Sequence, residues 1–172
     1  MEHSTATNSR TPRAIWPAYA ACAWALIFAL PSFYWATGGE VGMETIARDP
    51  DAISLINDPV VVFATGVLKV LGGLLALALV QPWGSTFRHP LRLIAWIGGG
   101  CCVLYGGALL IQHGLMVAGA IDTPDVLGAI AVRWHFWFWD PWWIVGGVLF
   151  GLAAWYSARE DQEGDGERRS VR

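Results

Sequence analysis

Four long apolar runs constrain this chain more than any other feature. They cover approximately residues 14–37, 59–80, 91–119 and 141–158 and hold nearly all of the hydrophobic side chains. A membrane-spanning helix needs about 20 apolar residues, whereas a soluble domain would spread its hydrophobic positions over shorter amphipathic elements. Charged residues make up only 15% of the chain, against about 25% in an average soluble domain. We therefore predict an all-α integral membrane four-helix bundle.

The two ends of the chain are polar, and we predict that both lie outside this bundle. Residues 1–13 are predicted to form a disordered tail, and residues 159–172 a charged tail of mixed sign. The membrane domain between them covers residues 14–158. Its first apolar run is too long for a signal peptide and ends in bulky aromatic residues, which do not suit a cleavage site. This run is therefore predicted to be a retained helix.

Arginine is distributed unevenly between the two sides of the predicted bundle. Positive residues collect in cytoplasmic segments, and placing the N-terminus inside puts eight arginines there and two outside. We therefore predict a multi-pass protein of a bacterial cell membrane with both termini cytoplasmic. The inner arginines are Arg10, Arg13, Arg88, Arg92, Arg159, Arg168, Arg169 and Arg172, and the outer ones are Arg48 and Arg133.

An aromatic stretch over residues 133–143 precedes the last apolar run. Seven of its eleven residues are Trp or Phe, and such rings collect at the membrane–water interface. This stretch contains Asp140-Pro141 at the start of the fourth apolar run. Asp58-Pro59 occupies the same position at the start of the second run. Asp favours the N-cap and Pro the first helical turn. We predict that both pairs start helices and that the aromatic stretch lies at the outer interface.

Two short motifs resemble a known family. Residues 34–39 read Tyr-Trp-Ala-Thr-Gly-Gly after the first run, and residues 140–147 read Asp-Pro-Trp-Trp-Ile-Val-Gly-Gly at the start of the last. Together with the four apolar runs, they resemble the bacterial membrane proteins of the DUF3995 family, whose function is unknown. The resemblance covers residues 15–158. It implies a fold of four membrane helices and carries over no catalytic or binding residue.

Lys69 is the one charge in the middle of an apolar run. A charge at this depth is costly and usually faces the interior of a bundle with a partner. Glu40 and Glu44, in the acidic segment after the first run, are the predicted partners. The alternatives are a lysine that extends towards the membrane surface or one that is buried in its neutral form. Lys69 is accordingly a candidate residue of a ligand site or ion pathway.

Histidine and arginine near the outer end suggest two further hypotheses. His113 and His135 could share a haem or a metal ion if their segments touch, because facing helices can supply such ligands. Arg133, His135 and Asp140 could form a polar cluster. The simpler interpretation is that the histidines form interfacial hydrogen bonds, that Asp140 caps its helix and that Arg133 meets lipid headgroups. No local ligand spacing is present, so we predict no cofactor, and haem remains the alternative.

Several classes of protein are disfavoured by the sequence. There is no basic patch of the kind that nucleic acid requires. Cys22, Cys101 and Cys102 lie in apolar runs and form no Cys-x-x-Cys pair, so these cysteines indicate neither a disulfide framework nor a zinc site. We predict a non-enzymatic accessory or structural protein, or a small transporter-like bundle. A haem or redox protein using His113 and His135 is the alternative. The expected partners are the lipid bilayer, a second copy or another membrane protein.

Overall fold

The computed structural model describes residues 15–49 and 58–170, and over residues 160–170 the backbone alone. Every regular element in this part of the chain is helical, which confirms the predicted all-α fold. The predicted tail of residues 1–13 lies outside the described residues. The long helices are α1 (Trp16–Ala36), α2 (Pro59–Ala78), α3 (Arg88–Val117) and α5 (Asp140–Ser170). The short helix α4 (Gly128–Trp134) and a π-helical segment (His135–Trp139) precede α5, and 3₁₀ turns occupy Met43–Thr45 and Pro82–Phe87.

The long helices pack in two pairs. Helix α1 packs along α2, and α3 packs along α5. Contacts between α1 and α5 join the pairs, whereas α2 and α3 touch only slightly. Trp24 and Phe28 of α1 meet Phe150 of α5 in a buried apolar cluster between the pairs. The wider spacing between α2 and α3 leaves an opening on that side.

In the part of the chain that the structure describes, three helices are long and apolar enough to cross a membrane. They are Trp16–Ala36, Pro59–Ala78 and Pro82–Val117, the last of which combines the second 3₁₀ turn with α3. Their lengths suit a hydrocarbon core of about 30 Å, because an α-helix rises about 1.5 Å per residue. The side of the membrane on which each terminus lies stays a prediction.

Small residues line the contact of α1 with α2. Ala18, Cys22, Ala25 and Ala29 recur every three or four residues, and all four are buried. A Cβ atom on Gly73 of α2 would lie 3.5 Å from the Cβ atom of Ala25. Close backbone approach through small side chains is typical of membrane helix pairs.

The contact of α3 with α5 follows glycines spaced by seven residues. A Cβ atom on Gly99 would lie 2.8 Å from the carbonyl oxygen of Gly147, and one on Gly106 would lie 2.8 Å from that of Asp140. Gly98, in contrast, has open space at its Cβ position. Gly114, eight residues after Gly106, continues the contact, because a Cβ atom there would lie 3.0 Å from the ring of Phe136. Seven residues make almost two helical turns and keep one face towards a partner helix.

The two Asp-Pro pairs have different roles. Asp58 is the N-cap of α2, and its carboxylate accepts hydrogen bonds from the backbone amides of Val60 at 2.8 Å and Val61 at 3.4 Å. The prediction that Asp140 caps a helix is wrong, because helical backbone runs through it from residue 128. Pro141 has no amide hydrogen and its ring crowds the preceding turn. The wider π-helical turn just before it relieves this conflict without ending the helix.

The last helix is also longer than the sequence suggests. The predicted helix ends near residue 158, and a charged tail follows it. Helical backbone continues to Ser170, so residues 159–170 of the predicted tail prolong α5.

Candidate metal centre

A cluster of two histidines and one carboxylate lies where α3, the π-helical segment and α5 meet. His113 comes from the last two turns of α3, His135 opens the π-helical segment, and Asp140 is the first residue of α5. Nδ1 of His113 lies 2.7 Å from Oδ2 of Asp140, and Nδ1 of His135 lies 3.4 Å from Oδ1. The two imidazole rings are stacked, with centroids 4.7 Å apart and planes inclined by 28°. We call these three side chains the His–Asp–His cluster.

The π-helical turn creates one edge of this cluster. In a regular α-helix, side chains five residues apart point about 140° away from each other. In the π-helical segment, the amide of Asp140 donates its hydrogen bond to the carbonyl of His135, five residues earlier. The turn is thereby widened, and the two side chains come to the same face of the helix. The local backbone therefore brings His135 and Asp140 together before His113 joins them from α3.

Burial makes the charge of this cluster important. Asp140 is fully buried, His113 is almost fully buried, and the side chain of His135 is 18% exposed. A buried carboxylate is costly unless hydrogen bonds or positive charge compensate it. The two histidines are the groups that Asp140 contacts through its carboxylate.

The contacts of His135 favour a positive species in the cluster, either a proton or a metal ion. Nε2 of His135 lies 3.2 Å from the carbonyl oxygen of Ile46, and a carbonyl only accepts, so Nε2 carries the hydrogen. In a neutral ring, Nδ1 then presents a lone pair to Oδ1 of Asp140, which is also an acceptor. Two acceptors face each other favourably only with a positive species between them. A proton on the cluster or a metal ion at its centre satisfies this requirement.

Residues 45–48, which follow α1, cover the cluster. Besides the Ile46 carbonyl, Thr45 accepts a hydrogen bond from Nε1 of Trp139 at 3.2 Å. The amide of Arg48 is 2.9 Å from the carbonyl of Val126, just before α4. These hydrogen bonds hold the residues on either side of Ala47, which is fully buried. The segment therefore limits access to the cluster from outside.

The donor atoms of the cluster suit a first-row divalent metal ion. One nitrogen from each histidine and one oxygen of Asp140 lie within 4.8 Å of one another. A tetrahedral ion with ligands at about 2.0–2.2 Å holds its donor atoms roughly 3.3–3.6 Å apart. Small movements of the side chains would bring all three donors to that spacing. The hydrogen bond from Nε2 of His135 to the Ile46 carbonyl would hold the ring in place with Nδ1 towards the ion, as such bonds commonly do for ligating imidazoles.

Arg133, which the sequence grouped with His135 and Asp140, does not join the cluster. Its side chain is exposed, whereas Asp140 is fully buried. The third member of the cluster is instead His113 of α3, which precedes Asp140 by 27 residues in the sequence. Two of the three grouped residues therefore meet, and His113 takes the place of the arginine.

Lys69 lies apart from this cluster and does not contact either of its predicted partners. Glu40 and Glu44 are both exposed in the segment after α1. Nζ of Lys69 instead donates a hydrogen bond to Oγ of Ser32 at 2.7 Å and stands 3.8 Å above the ring centroid of Phe28. Phe28 and Ser32 are four residues apart on α1, so about one helical turn places both side chains on the face towards α2. This spacing is the signal in the sequence that could have identified them as neighbours of Lys69.

The aromatic stretch divides into an inner and an outer side. Trp139, Trp142 and Trp143 pack against the buried apolar cluster, and Nε1 of Trp24 donates to the carbonyl of Trp142 at 2.9 Å. Three other rings of the stretch point outwards and are between two fifths and three quarters exposed. They are Trp134, Trp137 and Phe138. The inner rings help hold α5 against α1, and the outer ones are available to an interface.

These features define a class of protein whose described residues are all-helical, with three helices able to cross a membrane and a buried His–Asp–His cluster between helices. The family model described as "Protein of unknown function (DUF3995)" matches residues 25–150, more than half of the chain, and the chain belongs to this family. The matched region includes Lys69 and all three residues of the cluster. Family membership confirms the resemblance found in the sequence motifs. Neither the curated proteins nor the solved structures contain a match to the chain.

Proposed function

We propose that this protein is a non-enzymatic, multi-pass protein of the cell membrane that binds a divalent transition-metal ion at His113, His135 and Asp140. Zn²⁺ and Fe²⁺ are the ions that two imidazoles and one carboxylate suit best. Such a bundle would serve as a small transporter-like or accessory protein, with the metal ion as its cargo or its structural centre. The segment that carries Ile46 would control access to the ion.

One observation carries this proposal, namely that Nδ1 of His135 faces the carboxylate of Asp140 at 3.4 Å while Nε2 of the same ring faces the Ile46 carbonyl at 3.2 Å. A fully buried carboxylate between two imidazoles is an anionic site that is already assembled. The metal ion would supply the missing positive charge and replace the hydrogen on Nδ1 of His113. The proton-only form of the same cluster is the competing interpretation.

The cluster supports a single ion better than haem. Axial histidines approach haem iron from opposite faces of a planar macrocycle. The rings of His113 and His135 instead lie face to face with centroids 4.7 Å apart, and Asp140 engages the Nδ1 atoms of both. No macrocycle fits between stacked rings at this distance.

The test is a titration of the protein, purified in mild detergent and freed of metal by a chelator, with Co²⁺ and then Zn²⁺. Co²⁺ in a site of low coordination number gives visible absorption bands, and Zn²⁺ should displace it at one ion per chain. Asp140→Asn keeps the shape of the side chain and removes its charge. We expect it to lower the affinity at least 100-fold, because even outer-shell partners contribute about 10–100-fold.

Two further variants make the titration decisive. His135→Gln changes a partly exposed side chain, so the protein should fold even if Asp140→Asn does not, and it should also weaken binding. His89→Gln changes an exposed histidine in the first turn of α3 and should bind Co²⁺ as the unchanged protein does. Absence of stoichiometric binding, or equal loss in His89→Gln, contradicts the metal site and leaves the proton form.

A further inference from the structure

An apolar cavity lies between the helices on the side where α2 and α3 separate. Its volume is about 450 Å³, within the range of about 300–1,000 Å³ that is usual for small-molecule sites. Its wall is almost entirely apolar and includes Trp24, Phe28, Leu75 and Phe150. It is partly open rather than sealed, so a molecule dissolved in the bilayer could enter it sideways.

Lys69 contributes the one charged group to the wall of this cavity. It lies near the middle of α2 (Pro59–Ala78), far from both ends of the span. Its Nζ contacts the hydroxyl of Ser32, which is itself buried, and the face of the Phe28 ring. Among the residues that the structure describes, no carboxylate forms an ion pair with it.

The contacts of Lys69 leave its charge only partly compensated. An ammonium group has three hydrogens to donate, and the Ser32 hydroxyl takes one of them. The aromatic face of Phe28 adds a cation–π contact, but neither group carries a negative charge. Charges within a membrane span usually pair or serve a ligand. A ligand with a negative charge would complete the contacts of Lys69, and this requirement guides the choice of ligand.

We propose that the cavity binds a long-chain carboxylate, with the carboxylate against Lys69 and Ser32 and the hydrocarbon chain along the apolar wall. A carboxylate accepts hydrogen bonds from both side chains and neutralises the ammonium group. A phospholipid fits less well, because its larger headgroup with several polar groups would have to reach mid-span, where Lys69 and Ser32 can pair with a single carboxylate. This site is independent of the His–Asp–His cluster and does not rest on the metal proposal.

Palmitate is the probe, and methyl palmitate is its uncharged match. Binding to the full chain in lipid nanodiscs is measured with radiolabelled palmitate and unlabelled competitors. We expect palmitate to compete effectively and methyl palmitate to compete weakly. Lys69→Met keeps most of the length of the side chain and removes its charge. We expect it to weaken palmitate binding by roughly tenfold or more, since hydrogen bonds to charged groups contribute this much.

A pair of glycine variants on α3 tests the cavity itself and keeps the test decisive if Lys69→Met fails to fold. Gly98 lines the cavity, and Gly100 lies outside it, yet both have open space at the Cβ position. Gly98→Leu should fill the cavity and abolish saturable palmitate binding, while Gly100→Leu should leave it unchanged. Equal competition by methyl palmitate, an equal effect of the two leucines, or a second copy of the chain covering the cavity in cross-linking overturns the proposal.

Discussion

His113 and Asp140 meet at 2.7 Å across the contact between α3 and α5. Gly106, seven residues before His113, supports the backbone of the same aspartate, because a Cβ atom there would lie 2.8 Å from the Asp140 carbonyl. Gly99 continues this line by another seven residues and meets Gly147. One face of α3 therefore sets both the spacing of the helices and the geometry of the cluster.

Enlarging Gly106 should disturb helix packing and the cluster together. Gly106→Val places its side chain against the Asp140 carbonyl and the Cβ atom of Trp143. Overpacking of this kind costs about 1–3 kcal/mol, and we expect lower thermal stability in detergent and weaker Co²⁺ binding. Gly107→Val is the matched control, since its Cβ position is open. Equal stability of the two variants would contradict the close approach of α3 and α5.

Removal of Pro141 should weaken the metal site without unfolding the helix. Pro141→Ala restores an amide hydrogen and relieves the ring, so the π-helical turn can relax into a regular α-helix. His135 would then rotate away from Asp140. We expect unchanged or slightly higher helix content by circular dichroism, with Co²⁺ affinity lowered roughly tenfold or more. Pro31→Ala in α1 is the control, and a loss of affinity in both variants would argue against the role of the turn.

The two Asp-Pro pairs should respond differently to substitution. Asp58→Ala removes an N-cap that serves only α2 and should lower the stability by about 1 kcal/mol. Co²⁺ binding should remain unchanged, because Asp58 lies outside the cluster. The unfolding midpoint and the Co²⁺ titration measure the two effects separately. A loss of Co²⁺ binding in Asp58→Ala would mean that the ion is held elsewhere.

Acid should release the metal ion. Imidazole and carboxylate ligands bind a metal in their deprotonated forms, so protons compete with the ion and affinity falls as the pH falls. A titration of Co²⁺ absorbance from neutral to acidic pH should therefore show loss of the visible bands, with recovery on neutralisation. Bands that persist in acid, where these ligands are protonated, would contradict ligation by His113 and His135.

The sequence predicts those parts of the fold that depend on hydrophobicity and on contacts between residues close together in the chain. The long apolar runs correspond to helices, and the small residues of α1, such as Ala18 and Ala25, are buried as their spacing indicates. Asp58 caps α2, because capping depends on a local contact of side chain and backbone. The family resemblance also rests on local motifs, and the family model confirms it.

The site depends on features that a linear pattern does not specify. A π-helical turn has no simple sequence signal, so the sequence predicts a helix start at Asp140, which lies within continuous helical backbone. The meeting of His113 with Asp140 depends on the rotation of α3, which Gly99 and Gly106 fix by contact with α5. Lys69 likewise finds Ser32 through the packing of α1 on α2.

The most direct test of the metal site is X-ray absorption spectroscopy at the zinc edge of the Zn²⁺-loaded protein. We predict nitrogen and oxygen ligands at about 2.0–2.2 Å from the ion, with more distant scattering from two imidazole rings. In His135→Gln, scattering from one ring should disappear. Sulfur ligands from the free thiols Cys22, Cys101 or Cys102, or a spectrum without imidazole scattering, would contradict the assignment of His113, His135 and Asp140 as the metal centre.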